Sequence, residues 1–347
     1  IDGEARALNS PTGESSRILA SSPKAALSVD RVGMAETLRL RSPRAANVVD
    51  AVNTSLANVA LTEPVAISHL DLHGRPTRSW LFLPKGAAAG QIRGLIVKVY
   101  PGNTDSLVWA DPLVMTYGIR TQVLVAAGFA VLSPSIPGKE PAVGRGDVYA
   151  RSVDIAIDAA LAAFPDLPED RMAIFGHSFG GYAALEIAAR TTRYKSYIAS
   201  ASFSDMSAIW GEFNPANRIQ PEDGMMTRSN QGWAETGQGG LEAPPWKASE
   251  AYRASSPYLI AHRIRSPVLL LTADLDFVPM TQAERIFSVL HRTGGRTRLI
   301  TYWGENHHLW SPANIRDRYE QIFSWLDATL GVKEEISASA LPAPPRS

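Results

Sequence analysis

Residues 171–185 constrain the fold of this chain more than any other stretch. Met172, Ala173, Ile174 and Phe175 form a short apolar run, Gly176-His177-Ser178-Phe179-Gly180-Gly181 interrupts it, and Ala183, Ala184, Leu185, Ile187, Ala188 and Ala189 continue as a small-residue helix. The pattern predicts a buried strand, a tight turn with a serine at its tip, and a helix. Glycines flank the serine because a Cβ there would collide with the neighbouring strand or helix. Backbone strain at such a tip points the hydroxyl into solvent above the sheet. The helix that follows aims its free N–H groups and the positive end of its dipole at the same point.

Strands and helices alternate around that turn. Residues 65–72 and 77–83 alternate as antiparallel strands, with His73-Gly74-Arg75-Pro76 as the turn between them. Residues 94–100, 129–133, 197–201, 268–272 and 297–303 read as further strands. Residues 148–164, 281–291 and 315–330 carry helical periodicity; in the first of these Val153, Ile157, Ala160, Leu161 and Phe164 share a face. This rhythm predicts an α/β fold with a mostly parallel, twisted sheet covered by helices on both faces.

Three segments stand outside it. Residues 1–62 are polar and serine-rich and read as an N-terminal extension, linker or remnant of another domain; within them 36–41 suits a short strand and 47–61 a short helix or irregular linker. Residues 63–332 make the main domain. Residues 205–254, with Trp210, Trp233, Trp246, several glycines and Pro244-Pro245, read as a long structureless lid beside the functional site. The tail 333–347 is predicted to be disordered.

Bulk composition excludes several classes of function. The 34 basic and 34 acidic residues leave no net charge, so nothing electrostatic favours nucleic acid or an anionic membrane. No apolar run is long enough to span a bilayer. The absence of cysteine removes disulfides, thiolate catalysis and cysteine-based metal sites. It suits cytoplasm and periplasm alike. No leader is visible, and a start at Ile1 rather than Met is what a processed form would show, so the compartment stays open. His69 and His73, four apart on a strand, lie about 13 Å apart and cannot share a metal. No cofactor is expected.

A serine hydroxyl needs a base within hydrogen-bond reach, and the base needs an orienting carboxylate. Chain order places the acid after strand 268–272, at Asp274 or Asp276, and the base after strand 297–303, at His307 or His308. An oxyanion needs two donors. One is the backbone N–H of Phe179. The other belongs to the turn Tyr100-Pro101-Gly102-Asn103, where Pro101 has no N–H to give, so the Tyr100 hydroxyl is the natural donor.

These pieces together resemble the catalytic domain of the prolyl oligopeptidase family of serine peptidases, an α/β-hydrolase fold. The resemblance rests on Val99-Tyr100-Pro101-Gly102, Gly176-His177-Ser178-Phe179-Gly180-Gly181, Asp274-Leu275-Asp276-Phe277-Val278-Pro279 and Gly304-Glu305-Asn306-His307, and covers residues 64–330. It implies Ser178 as nucleophile, Asp276 as acid with one residue deleted before Val278, His307 as base, and Tyr100 and Phe179 at the oxyanion. Asp274 is the alternative acid. The pocket is expected to be apolar, drawn from Phe179, Trp210, Trp233, Phe277 and Val278. Phe277 replaces a polar residue usual in the family and argues against strict proline specificity. Family members carry a propeller, which some 60 residues cannot build at about 40 residues per blade.

The expected partner is therefore a small or constrained peptide, cleaved at peptide or isopeptide bonds through an acyl-enzyme; the acylaminoacyl-peptidase and lasso-peptide isopeptidase branches look similar. An absent propeller domain or a second copy of the chain are further candidate partners. A carboxylesterase and a non-catalytic binding domain are the competing readings.

Overall fold

A computed structural model describes residues 8–9, 15–59, 61–87, 90–105, 119–213 and 230–331. The chain divides into two compact units, Ile1–Glu63 and Pro64–Ser347. The tail 333–347 lies outside the described residues.

In the first unit β1 (Leu8–Asn9), β2 (Ser15–Ser21), β3 (Ala26–Val32), β4 (Ala35–Ser42) and β5 (Ala45–Val52) pair antiparallel in chain order. The expectation of a helix or linker over 47–61 is corrected: a strand runs to Val52, and only Thr54–Leu56 form a 3-10 turn. The physical reason is plain. Every residue of β5 is exposed, so no alternation marks it. The strand is held instead by its register with β4, from Glu36 opposite Val52 to Ser42 opposite Ala45. Ser42 Oγ accepts the N–H groups of Arg44 and Ala45 at the turn.

The second unit holds an eight-stranded sheet. Its strands are β6 (Val65–Leu70), β7 (Pro76–Phe82), β8 (Leu95–Val99), β9 (Ala130–Ser133), β10 (Met172–His177), β11 (Ser196–Ser200), β12 (Val268–Ala273) and β13 (Thr297–Tyr302), in the spatial order β13-β12-β11-β10-β8-β9-β7-β6. The six strands from β13 to β9 are parallel; β7 runs antiparallel to its neighbours.

Helices α1 (Thr121–Ala126) and α8 (Pro312–Leu330) cover one face; α2 (Arg145–Ala163), α3 (Phe179–Ala188) and α7 (Thr281–Arg292) cover the other. The central strands feed both cores by alternation. Met172 and Ile174 of β10 face one, Ala173 and Phe175 the other; Leu270 and Leu271 of β12 divide likewise.

The segment expected as a structureless lid contains α4 (Met206–Gly211), α5 (Gln231–Glu235) and α6 (Ser249–Ala254) among its described residues; 214–229 lie outside them. Helices of five or six residues are too short to register as periodicity. α4 is fixed locally: the Asp205 carboxylate accepts the N–H groups of Ser207 and Ala208 at 3.1 Å each.

Candidate active site

The site forms where the sheet changes direction. From β8 the chain moves outward to β9, then crosses back over the opposite face to β10 on the other side of β8. The carboxyl ends of β8 and β10 therefore border a crevice, the usual place for a ligand in an open α/β sheet. Tyr100 follows β8 and Ser178 follows β10.

Ser178 has φ 58° and ψ −125°, a conformation that costs about 1–3 kcal/mol for a residue with a side chain. Its surroundings enforce it. The Ser178 N–H donates to the Ser200 carbonyl at 2.8 Å, and the N–H of Tyr182 donates to the Ser178 carbonyl at 3.1 Å. The flanking glycines are obligatory here: a Cβ on Gly176 would lie 1.9 Å from the Gly180 carbonyl oxygen, and one on Gly180 would lie 2.3 Å from that of Val99.

Two loops at the carboxyl edge bring up the other groups. His307 Nε2 lies 2.9 Å from Ser178 Oγ, and its Nδ1 lies 2.9 and 3.0 Å from the two carboxylate oxygens of Asp276. Asp276 is 1% exposed, and its Oδ1 also accepts the N–H of Val278 at 2.8 Å. Asp274 stands elsewhere: its Oδ1 accepts the N–H of Gly304 at 2.6 Å. With the Leu275 N–H donating to the Glu305 carbonyl, that bond stitches the acid loop to the base loop. His308 packs 5.1 Å from His307 and 5.5 Å from His177, ring centre to ring centre.

Sequence reasoning missed the groups that hold this array. Glu305 is buried and accepts the N–H groups of Trp310 and Ser311 and the amide of Asn314, at 2.7, 3.0 and 2.7 Å. Burial opposes its charge, but these donors and Arg318 outweigh it and hold the carboxyl below its usual range. Spacing between Gly304 and His307 was the only signal for it.

His177 Nδ1 lies 3.1 Å from Ser200 Oγ, and its ring centre lies 4.8 Å from that of His307. Burial, then the fields of His307, His308, Arg318 and Lys98, pushes the His177 imidazole well below its ordinary value of 6.5. A second cation is thereby kept off the base. The unfolded chain takes up this proton first, so the stability from neutral His177 is complete above about pH 6.5 and is lost as pH falls below it, at about 1.4 kcal/mol per pH unit. Urea unfolding of the parent and His177→Asn between pH 7 and 5 should show a shallower loss in the variant; equal slopes would contradict this.

The remaining candidates separate into two groups. Phe179 opens α3, so its N–H has no partner within the helix. The Tyr100 ring lies over the turn, where a Cβ on Gly180 would come within 3.2 Å of its Cδ2, and its hydroxyl accepts the Gln238 amide at 3.2 Å. Trp233 and Phe277 pack on Phe203, which sequence reasoning did not single out, and Phe179 joins them through Trp233. Trp233 stacks on Phe203 at 4.0 Å and meets Phe179 edge-on at 6.2 Å; Phe277 lies 6.3 Å from Phe203 and 4.4 Å from the His307 ring. Val278 is buried in the core, and its N–H clamps Asp276. Among the described residues Trp210 meets none of these rings: it packs on Trp246 and donates to Glu235 Oε1 at 2.7 Å. A cleft of about 1140 Å³ opens on the Tyr100 side, lined by Pro101, Gly102, Lys139, Arg145 and Gln238.

Among the described residues no cluster of three metal-ligating side chains forms, and no helix is long and apolar enough to cross a membrane. The arrangement can deprotonate a serine hydroxyl and stabilise an oxyanion next to an apolar wall.

Comparison with known proteins points the same way. The sequence model of the prolyl oligopeptidase family matches residues 116–333. The uncharacterized peptidase YuxL of Bacillus subtilis is 26% identical over 281 residues, 77% of this chain and 39% of its own. The acylaminoacyl peptidase of Pyrococcus horikoshii superposes with a TM-score of 0.65 at 17% identity, over 97% of this chain and 53% of that one. A variant of the AtxE2 isopeptidase with Astexin3-dC4 bound superposes with a TM-score of 0.62 at 15% identity, over 93% and 49%. This chain thus spans about half the length of these solved chains and less of the curated relative.

Proposed function

This chain belongs to the prolyl oligopeptidase family, and from that membership we propose that it is a serine peptidase hydrolysing peptide or isopeptide bonds of small or constrained peptides. The observation that carries the proposal is His307, which bridges Ser178 Oγ at 2.9 Å and the buried Asp276 carboxylate at 2.9 Å.

In this reading His307 Nε2 takes the hydroxyl proton as Ser178 Oγ attacks the carbonyl carbon. Asp276 holds Nδ1–H and so fixes the tautomer and stabilises the imidazolium. The oxyanion is met by the Phe179 N–H and the Tyr100 hydroxyl. His307 then gives the proton to the leaving nitrogen, the C–N bond breaks, and an acyl ester remains on Ser178. Water attacks that ester by the same route and frees the acid and the serine. The aromatic wall of Phe179, Phe203, Trp233 and Phe277 favours an apolar side chain beside the scissile bond. The isopeptidase and the acylaminoacyl peptidase among the structural neighbours support constrained or blocked peptides as the substrate class.

Parallel assays on aminoacyl anilides and p-nitrophenyl esters test the proposal. Turnover of both is expected; hydrolysis of esters alone would make the protein a carboxylesterase. Tyr100→Phe should lower kcat on the anilide by about 10²–10³ with KM little changed, because the hydroxyl acts only once charge develops on the oxygen. A phenylalanine variant with parental kcat would remove Tyr100 from the mechanism.

A further inference from the structure

Arg318 occupies a position where an apolar residue belongs. On α8 it shares the inward stripe with Ile322, Trp325 and Leu326, and it is 2% exposed. Its Nε and Nη1 have no hydrogen-bond partner among the described residues, and no ion pair forms with it there. Glu305 is the acid whose field it feels, but three donors already occupy the Glu305 oxygens. A guanidinium buried this way is costly unless its charge is used.

Arg318 also lines a pocket of about 10 Å³ beside Asp276 and His307. Ser200, Thr272, Asp276, Tyr302 and His307 line it too. The space is near the smallest that admits one water, and its walls offer the two to four polar partners a buried water requires. The carboxylate has capacity to spare. Asp276 Oδ1 accepts from Val278 and His307, whereas Oδ2 accepts only from His307 among the described residues.

We propose that Arg318 is a positioning residue for the reaction, acting through one buried water that links its guanidinium to the Asp276 carboxylate and keeps Asp276 and His307 aligned on Ser178. The proposal rests on the catalytic reading given above. The charged and titratable groups around Arg318 are Asp276 and His307 from the two loops, Glu305 from the base loop, Tyr302 from β13, His177 from β10, and Tyr319 from α8 itself.

The test uses the full chain with Arg318→Met, Arg318→Gln and Arg318→Lys. Met and Gln should lower kcat about 10-fold or more with KM within about 2-fold. Lys should recover most of the lost kcat. Parental kcat in folded Met or Gln variants would overturn the proposal, as would a loss shared between kcat and KM with no rescue by Lys, which marks a purely structural role. A high-resolution crystal structure of the parent serves even if the variants do not fold: a water within about 3.2 Å of both the guanidinium and the carboxylate is expected, and a dry cavity overturns the link. Labelling of the parent by a serine-directed phosphonate separates the two failures. An unlabelled Ser178 defeats the catalytic reading itself; a labelled, active parent with indifferent Arg318 variants defeats only this inference.

Discussion

Replacing Ser178 with alanine is expected to reduce kcat by about 10⁶ while leaving the protein folded, with the residual rate set by the oxyanion donors and substrate binding. The size follows from the site. His307 Nε2 has Ser178 Oγ at 2.9 Å as its hydrogen-bond partner, so without that oxygen no positioned group can receive the acyl chain. Stability should change little. The Ser178 side chain makes no capping bond to α3, and its backbone is fixed by Ser200 and Tyr182 through main-chain atoms that alanine keeps. Stopped assays and thermal melts on matched samples check both halves. A variant that retains more than a trace of turnover, with contaminating enzyme excluded, would contradict the assignment.

The second large effect separates the two aspartates. Asp276→Asn should lower kcat by about 10⁴, because the amide would present a donor to Nδ1 and invert the His307 tautomer, leaving Nε2 unable to accept the serine proton. Asp274→Asn should lower kcat only a few-fold and cost at most about 1 kcal/mol of stability, since Asp274 contributes one exposed bond, from the Gly304 N–H at 2.6 Å, that the amide oxygen can still accept. Steady-state kinetics and urea melts of the two variants decide this. Reversed effects would make Asp274 the acid. Both residues lie within one short loop, so the contrast isolates the hydrogen bond to the imidazole from the general loss of a carboxylate.

The sheet was legible wherever a strand is buried. β10 and β12 are apolar on both faces, and glycine or charged residues close them off sharply. β5 was not legible, because a fully exposed strand carries no hydrophobic period and exists through its pairing with β4. The short helices of 206–254 failed for a related reason: segments of five or six residues are set by caps and packing rather than by pattern. At the site, residue type and order along the chain pointed to Ser178 and narrowed the acid to Asp274 or Asp276 and the base to His307 or His308, between which the family motifs favoured Asp276 and His307. What they could not carry was the second layer of contacts. Phe203 and Gln238 act through distances between segments far apart in sequence, Glu305 binds an irregular turn that carries no period, and Trp210 looked equivalent to Trp233 until Glu235 and Trp246 were seen to hold it.

The central claim is that a peptide bond is broken through an ester on Ser178. Its most direct test is to mix the protein with an aminoacyl anilide, quench with acid within the first turnover, and locate any added acyl mass by peptide mapping. An adduct on the peptide containing Ser178, absent in Ser178→Ala and decaying at the rate of turnover, is the predicted result. Anilide hydrolysis with no adduct at Ser178, or with the acyl group on another side chain, would contradict it.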